Sequence, residues 1–131
     1  MTVFPDYPFA SHWFDRGGLR MHYLDEGAGS PVLLLHGNPS WSYVWRRLIL
    51  GLRYRHRCVA PDHIGMGLSD KPGEDRYTYT LRSRVDDLDA LMDHWGGPIG
   101  MAWAARHPEH VARLVVLNSA AFPSPWGRTS R

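Results

Sequence analysis

Cysteine is almost absent from this chain. A single residue, Cys58, among 131 excludes an internal disulfide. Its neighbours Val59 and Ala60 make it a buried structural thiol in preference to a nucleophile. No Cys/His spacing resembles a zinc site, and Gly65-x-Gly67 lacks the rest of a dinucleotide fingerprint, so no cofactor or metal is implied. The motif Gly-x-Ser-x-Gly is also missing, which leaves a serine nucleophile elbow unsupported. Charge of one sign is not in excess. Fifteen Lys and Arg against thirteen Asp and Glu leave a net +2, too mild and too scattered for a nucleic-acid partner. The one basic knot, Arg53-Tyr54-Arg55-His56-Arg57, reads as a solvated helix end, with a phosphate or partner patch as the alternative. No apolar run is long enough for a transmembrane helix, and Asp6 and Asp15 fall where a secretory leader would be apolar, so no membrane partner is expected. A reducing, cytoplasmic setting follows as the default.

What is present is an ordinary globular composition, 44% hydrophobic and 21% charged, sufficient for one modest core. Residues 12–16 and 19–24 flank Gly17-Gly18 and predict a hairpin with a tight two-residue turn. Leu19, Met21 and Tyr23 alternate with Arg20 and His22, which predicts one buried face and one solvated face. Residues 31–35 are apolar at every position, the pattern of a strand covered on both sides in a parallel sheet. Trp41, Val44, Trp45, Leu48 and Leu52 recur at helical spacing, with Asn38 or Ser40 as cap and Pro39 in the opening turn. A short strand follows at 57–60, then a glycine-rich loop over 63–73. Leu81, Val85, Leu88 and Met92 predict a second helix capped by Thr80. A third helix is expected over 98–107, a strand over 114–117, and a loose tail over 123–131. The expected organisation is one core over residues 1–122 followed by that tail. The order is α/β, with one irregularity: two helices follow each other where a strand is expected between Met92 and Gly96.

Several residues carry chemistry. The turn His36-Gly37-Asn38-Pro39 behind a buried strand aims backbone N–H groups into the crevice where open α/β sheets place ligands. The Asn38 N–H can stabilise an oxyanion, and its amide can hold a halide or carbonyl oxygen; the alternative is a simple helix cap. Trp95, before Gly96-Gly97-Pro98 at an expected helix start, offers a backbone donor and an indole N–H; the alternative is a packed core tryptophan. His36 is expected to make a structural hydrogen bond. Asp62 is expected to orient the following loop, with His63 and Ser69 stabilising it. Asp86, Asp87 and Asp89 read as a solvated helix face, not a metal site.

The segments His36-Gly-Asn-Pro-Ser-Trp41, Pro61-Asp-His-Ile-Gly-Met-Gly-Leu-Ser-Asp-Lys-Pro72, Arg84-Val-Asp-Asp-Leu-Asp-Ala-Leu91 and Trp95-Gly-Gly-Pro-Ile-Gly-Met-Ala-Trp-Ala-Ala-Arg-His-Pro108 resemble the haloalkane dehalogenase branch of the α/β-hydrolase superfamily. Within that branch, the tract from Asp62 to Pro72 with Tyr79-Thr-Leu81 is most similar to the β-lactone decarboxylases of bacterial long-chain olefin synthesis. The likeness covers the chain up to Phe122. It implies the N-terminal part of an α/β-hydrolase fold: a mostly parallel sheet with an N-terminal hairpin. It also implies that Asn38 and Trp95 supply the oxyanion and halide donors, and that an aspartate directly before the tryptophan attacks an alkyl halide or β-lactone.

Here that nucleophile position is held by His94, and Asp93 lies one residue further back. The helical pattern of residues 85–92, with its three aspartates, runs straight into Trp95, and no buried central strand tolerates such a sequence. An excision that removed the central strand together with the nucleophile accounts for both observations. The resemblance places the cap region, the second acid and the base histidine beyond residue 131. Two readings remain. One is an enzyme acting on a small apolar alkyl halide or β-lactone, with Asp93 as a displaced nucleophile. The other is a catalytically inactive fragment that keeps only the oxyanion half of the site and self-associates through unpaired strand edges.

Overall fold

The computed structural model describes residues 3–95 and residue 109. The expected helix over 98–107, the strand over 114–117 and the tail boundary at 122/123 lie outside the described residues.

Two strands, β1 (His12–Arg16) and β2 (Leu19–Glu26), form the expected hairpin. Gly17 and Gly18 make the turn with φ of 60° and 86°, a pair of positive values that glycine adopts without a Cβ penalty. The Asp15 carboxylate accepts the Gly18 N–H at 2.8 Å and ties the turn to the strand before it. Two further strands follow, β3 (Ser30–Leu33) and β4 (His56–Pro61). The order across the sheet is β1-β2-β4-β3. β2 runs antiparallel to both neighbours, with Phe14 opposite Met21 and Leu24 opposite Ala60. β3 and β4 are parallel, with Val32 opposite Cys58. The described sheet is therefore mixed, and its parallel part is the β3–β4 pair. β3 is shorter than its apolar run, although the Leu34 N–H still bonds to Val59 O at 2.8 Å.

β4 lies between two strands and is apolar because both of its faces are covered. On one face Val59 packs with Leu19, Met21, Tyr23, Leu88, Leu91 and Met92. On the other, Cys58 and Ala60 pack with Tyr7, Leu24, Leu34 and Ile49. The first face is closed by helix α2 (Leu81–Trp95), whose Leu88 and Leu91 are buried at one helical turn's spacing. Thr80 caps α2 as expected, its hydroxyl accepting the Ser83 N–H at 3.1 Å. The second face is closed by a 3₁₀ turn (Ser42–Trp45) leading into α1 (Arg46–Leu52). Each fully buried Leu or Ile contributes about 1.5–3 kcal/mol.

Four expectations need correction. The helix after β3 does not begin at Asn38 or Ser40. Its first turn is the 3₁₀ segment, entered through Trp41 with no side-chain cap. A 3₁₀ turn advances the chain by three residues rather than 3.6, so the α-periodic pattern falls out of phase by about 80° over four residues. That is why Val44 and Leu48 stand 52% and 41% exposed while Ile49 carries the core contact. His22 is not on a solvated face. It is fully buried, because β2 is an interior strand and both its faces are covered. Asp87 is also buried; its carboxylate accepts from the Arg16 guanidinium at 3.1 Å and from the Tyr77 hydroxyl. The basic knot is not wholly a solvated helix end, since Arg57 lies in β4 and forms a two-point bond to Asp25 at 2.9 and 2.8 Å.

Candidate functional site

The site lies at the carboxyl ends of β3 and β4, where the parallel pair opens. Behind β3 the chain turns through His36, which is buried, and Asn38, which is exposed. The His36 Nδ1–H donates to Gly37 O at 2.7 Å, and its Nε2 accepts the His63 N–H at 3.0 Å. Both ring nitrogens are thus spent, one as donor and one as acceptor, which fixes the neutral tautomer. The structural role expected of His36 is the one it has. Its ring meets that of His63 edge-on at 4.6 Å. Burial, with Arg84 adding to it, pulls the His36 imidazole below its usual value against the opposing pull of the Gly37 carbonyl and Asp62. His63 is pushed down to about 3, first by burial and then by His36 and Arg84. His63 Nδ1 is buried with no hydrogen-bond partner among the described residues.

Asn38 makes no hydrogen bond to any described residue. Among the described residues its N–H and its amide cap no helix. The Asn38–Pro39 peptide is cis.

Behind β4, Asp62 is fully buried and organises the floor of this loop cluster. It accepts the Ser42 N–H at 2.6 Å, the Leu68 N–H at 3.0 Å and the His22 Nδ1–H at 2.9 Å. Burial pushes the Asp62 carboxyl up, but these donors outweigh it and hold the group below the usual carboxylate range. The Ser69 hydroxyl donates to Asp62 O at 2.7 Å and accepts the His22 N–H at 2.8 Å. Ser42 in turn shares a 2.7 Å hydrogen bond with the Tyr7 hydroxyl. Gly67 sits with φ of 55° directly against this carboxylate, where a Cβ would collide with Asp62 Oδ2 and with Trp41 Cβ. Asp62 therefore orients the loop as expected. The extent of its network was not expected: strict alternation along β2 directs His22 to solvent, yet His22 reaches Asp62. The pair Pro61-Asp62 at the end of an apolar strand was the one available signal.

The remaining candidates lie on α2. This helix runs unbroken to Trp95, its last residue, with Asp93 and His94 in its final turn. No strand intervenes between the aspartate-rich stretch and Trp95. The side chains of Asp93, His94 and Trp95, and the helix expected to start after Trp95, lie outside the described residues. Along α2 the backbone N–H of Trp95 is at the carboxyl end, where the helix dipole is negative. Among the described residues the two buried acids are Asp62 and Asp87, and both are fully engaged by the donors named above.

Residues 30–94 match the α/β hydrolase fold family. The chain belongs to that family. It is 50% identical to the cis-3-alkyl-4-alkyloxetan-2-one decarboxylase of Shewanella oneidensis over 90% of this chain and 41% of that protein. It is 52% identical to the decarboxylase of the same name from Xanthomonas campestris pv. campestris, over 94% of this chain and 48% of the relative. Haloalkane dehalogenase 2 of Mycobacterium tuberculosis is 43% identical over 90% of this chain and 45% of its own. The tetrameric haloalkane dehalogenase DpaA of Paraglaciecola agarilytica superposes with a TM-score of 0.71 at 35% identity, covering 83% of this chain and 43% of that one. The chain spans less than half the length of each of these relatives. Among the described residues, no helix is long and apolar enough to cross a membrane.

Proposed function

We propose that this chain carries the oxyanion half of a dehalogenase-like or β-lactone-decarboxylase-like site and that none of its described residues is placed to attack the bound molecule. The substrate class, an alkyl halide or a β-lactone, comes from the names of the relatives. Asn38 is the donor at the β3 tip, and because the Trp95 backbone N–H lies at the carboxyl end of α2, the Trp95 indole N–H is its expected counterpart.

The observation that carries the reading is the continuity of α2 through Asp93 and His94 to Trp95. A nucleophile presented from a strand tip projects into the crevice at the sheet's carboxyl edge. Residues in the last turn of a helix do not share that placement. Nucleophilic catalysis needs an attacking group, a base and an orienting group within hydrogen-bond reach. Asp62 and Asp87 are already committed to donors, and His36 has spent both ring nitrogens. Oxyanion donors alone leave only weak catalysis.

The test is turnover by the purified chain. It is incubated with a 1-bromoalkane and, separately, with a cis-dialkyl β-lactone, and bromide and carbon dioxide release are followed. No release above buffer is expected. Release that disappears in Asp93→Ala would instead make Asp93 a displaced nucleophile.

A further inference from the structure

A second constellation shares Asp62 and continues from it through His22 to Ser11. The chain Ser11–His22–Asp62 is linked end to end: Ser11 Oγ is 2.9 Å from His22 Nε2, and His22 Nδ1 is 2.9 Å from Asp62 Oδ2. The imidazole and the carboxylate are fully buried, while Ser11 is exposed at the entrance to β1. Asp62 is ionised and accepts, so the proton between it and His22 sits on Nδ1. Nε2 is then the acceptor for the Ser11 hydroxyl. A serine hydroxyl, an imidazole base and a carboxylate that fixes the imidazole tautomer are the parts of an activated nucleophile, and such a set is recognised by geometry rather than chain order.

We infer that Ser11 is an acyl-accepting nucleophile, with His22 as its general base and Asp62 as the residue that positions His22. The substrate class is small activated acyl or phosphonyl groups reaching Ser11 from solvent. With p-nitrophenyl acetate, Ser11 Oγ forms a bond to the acetyl carbon and its proton passes to His22 Nε2. The carbon–oxygen bond to the leaving group breaks, and p-nitrophenolate departs with the electron pair. With diisopropyl fluorophosphate, the Oγ–P bond forms, the same proton transfer occurs and fluoride departs. Asp62 stabilises the imidazolium until it returns its proton to solvent. The inference concerns one round of modification per chain and is independent of the proposed pocket.

The experiment treats the full chain with either reagent and maps the adduct by peptide mass spectrometry, using exposed Ser30 as the internal reference. General-base assistance is worth about a hundredfold or more, so Ser11 is expected to be modified about a hundred times faster than Ser30. Ser11→Ala, a change at an exposed position, is expected to remove the adduct while the circular dichroism spectrum is unchanged. His22→Gln keeps a hydrogen-bonding side chain but no base, and is expected to bring Ser11 down to the Ser30 rate. Because His22 is buried and that variant can fail to fold, the wild-type rate ratio decides independently. Equal rates at Ser11 and Ser30, or an adduct that is absent from Ser11, would overturn the inference and leave the three residues as a structural tether.

Discussion

Replacing Asp62 by Asn tests the structure where it is most tightly determined. The carboxylate is fully buried and accepts three donors, two from backbone N–H groups and one from His22. An asparagine of the same shape keeps one acceptor oxygen and presents an amide N–H₂ in place of the other. Oδ2 is the atom that serves both His22 and Leu68, so an amide there leaves two donors facing donors. If the amide flips, the Ser42 N–H at Oδ1 is the one orphaned. Each buried group left without a partner costs about 1–3 kcal/mol. The amide takes the cheaper, flipped orientation, so the expected loss is about 1–3 kcal/mol, a substantial share of the 5–15 kcal/mol that holds a typical domain together. Urea denaturation followed by tryptophan fluorescence reads it directly. With a slope of about 2 kcal/mol/M, the midpoint falls by about 0.5–1.5 M. A midpoint within a few tenths of a molar of the unsubstituted chain would refute the network described around this carboxylate.

Other consequences are equally specific. Gly67→Ala places a Cβ against Asp62 Oδ2 at a φ of 55°, so it is expected to destabilise by more than the usual Gly-to-Ala change, whereas Gly37→Ala, with open space around its Cα, is expected to leave the urea midpoint nearly unchanged. Leu91→Ala, at a fully buried position under the sheet, is expected to cost about 2–5 kcal/mol by leaving a cavity. Acid is expected to unfold the chain in two overlapping stages. His63 is held down at about 3 and His36 is also lowered, so the unfolded chain binds more protons than the folded one, and stability drops as pH falls from about 6.5. Asp62 is held below the usual carboxylate range; its contribution is complete above the unfolded carboxylate value near 3.9 and is lost as pH falls through the lower folded value. His63→Leu, which removes the titrating ring, is expected to flatten the first stage of a pH titration followed by circular dichroism.

How much of this was legible in the chain depends on which physical rule governed each position. The hairpin was legible because Gly17-Gly18 supply two positive φ values at one place. Helix α2 was legible because Val85, Leu88 and Met92 follow a single period and Thr80 caps it. The helix before it was misplaced because a 3₁₀ turn shifts the phase, so Val44 and Leu48 point outward and Ile49 inward. His22 and Asp87 were assigned to solvent by alternation and by charge, yet each is buried against a partner far along the chain, Asp62 and Arg16 respectively. Local pattern carries no information about such long-range pairs. Asn38 was singled out from the turn chemistry at a strand tip, and it makes no hydrogen bond among the described residues. The unbroken helix into Trp95 was foreseen because the apolar residues of 85–92 follow a helical period and the three aspartates among them do not suit a buried strand.

The measurement that bears most directly on the account is a single-turnover trap. The chain is mixed with excess 1-bromoalkane, quenched in acid within seconds to hours, and its intact mass is determined. An aspartate-ester intermediate adds one alkyl group, and peptide mapping locates it. The account predicts an unchanged mass across the time course, because α2 carries Asp93 and His94 on its last turn and the buried acids are already engaged. An alkyl adduct mapped to Asp93 would contradict it.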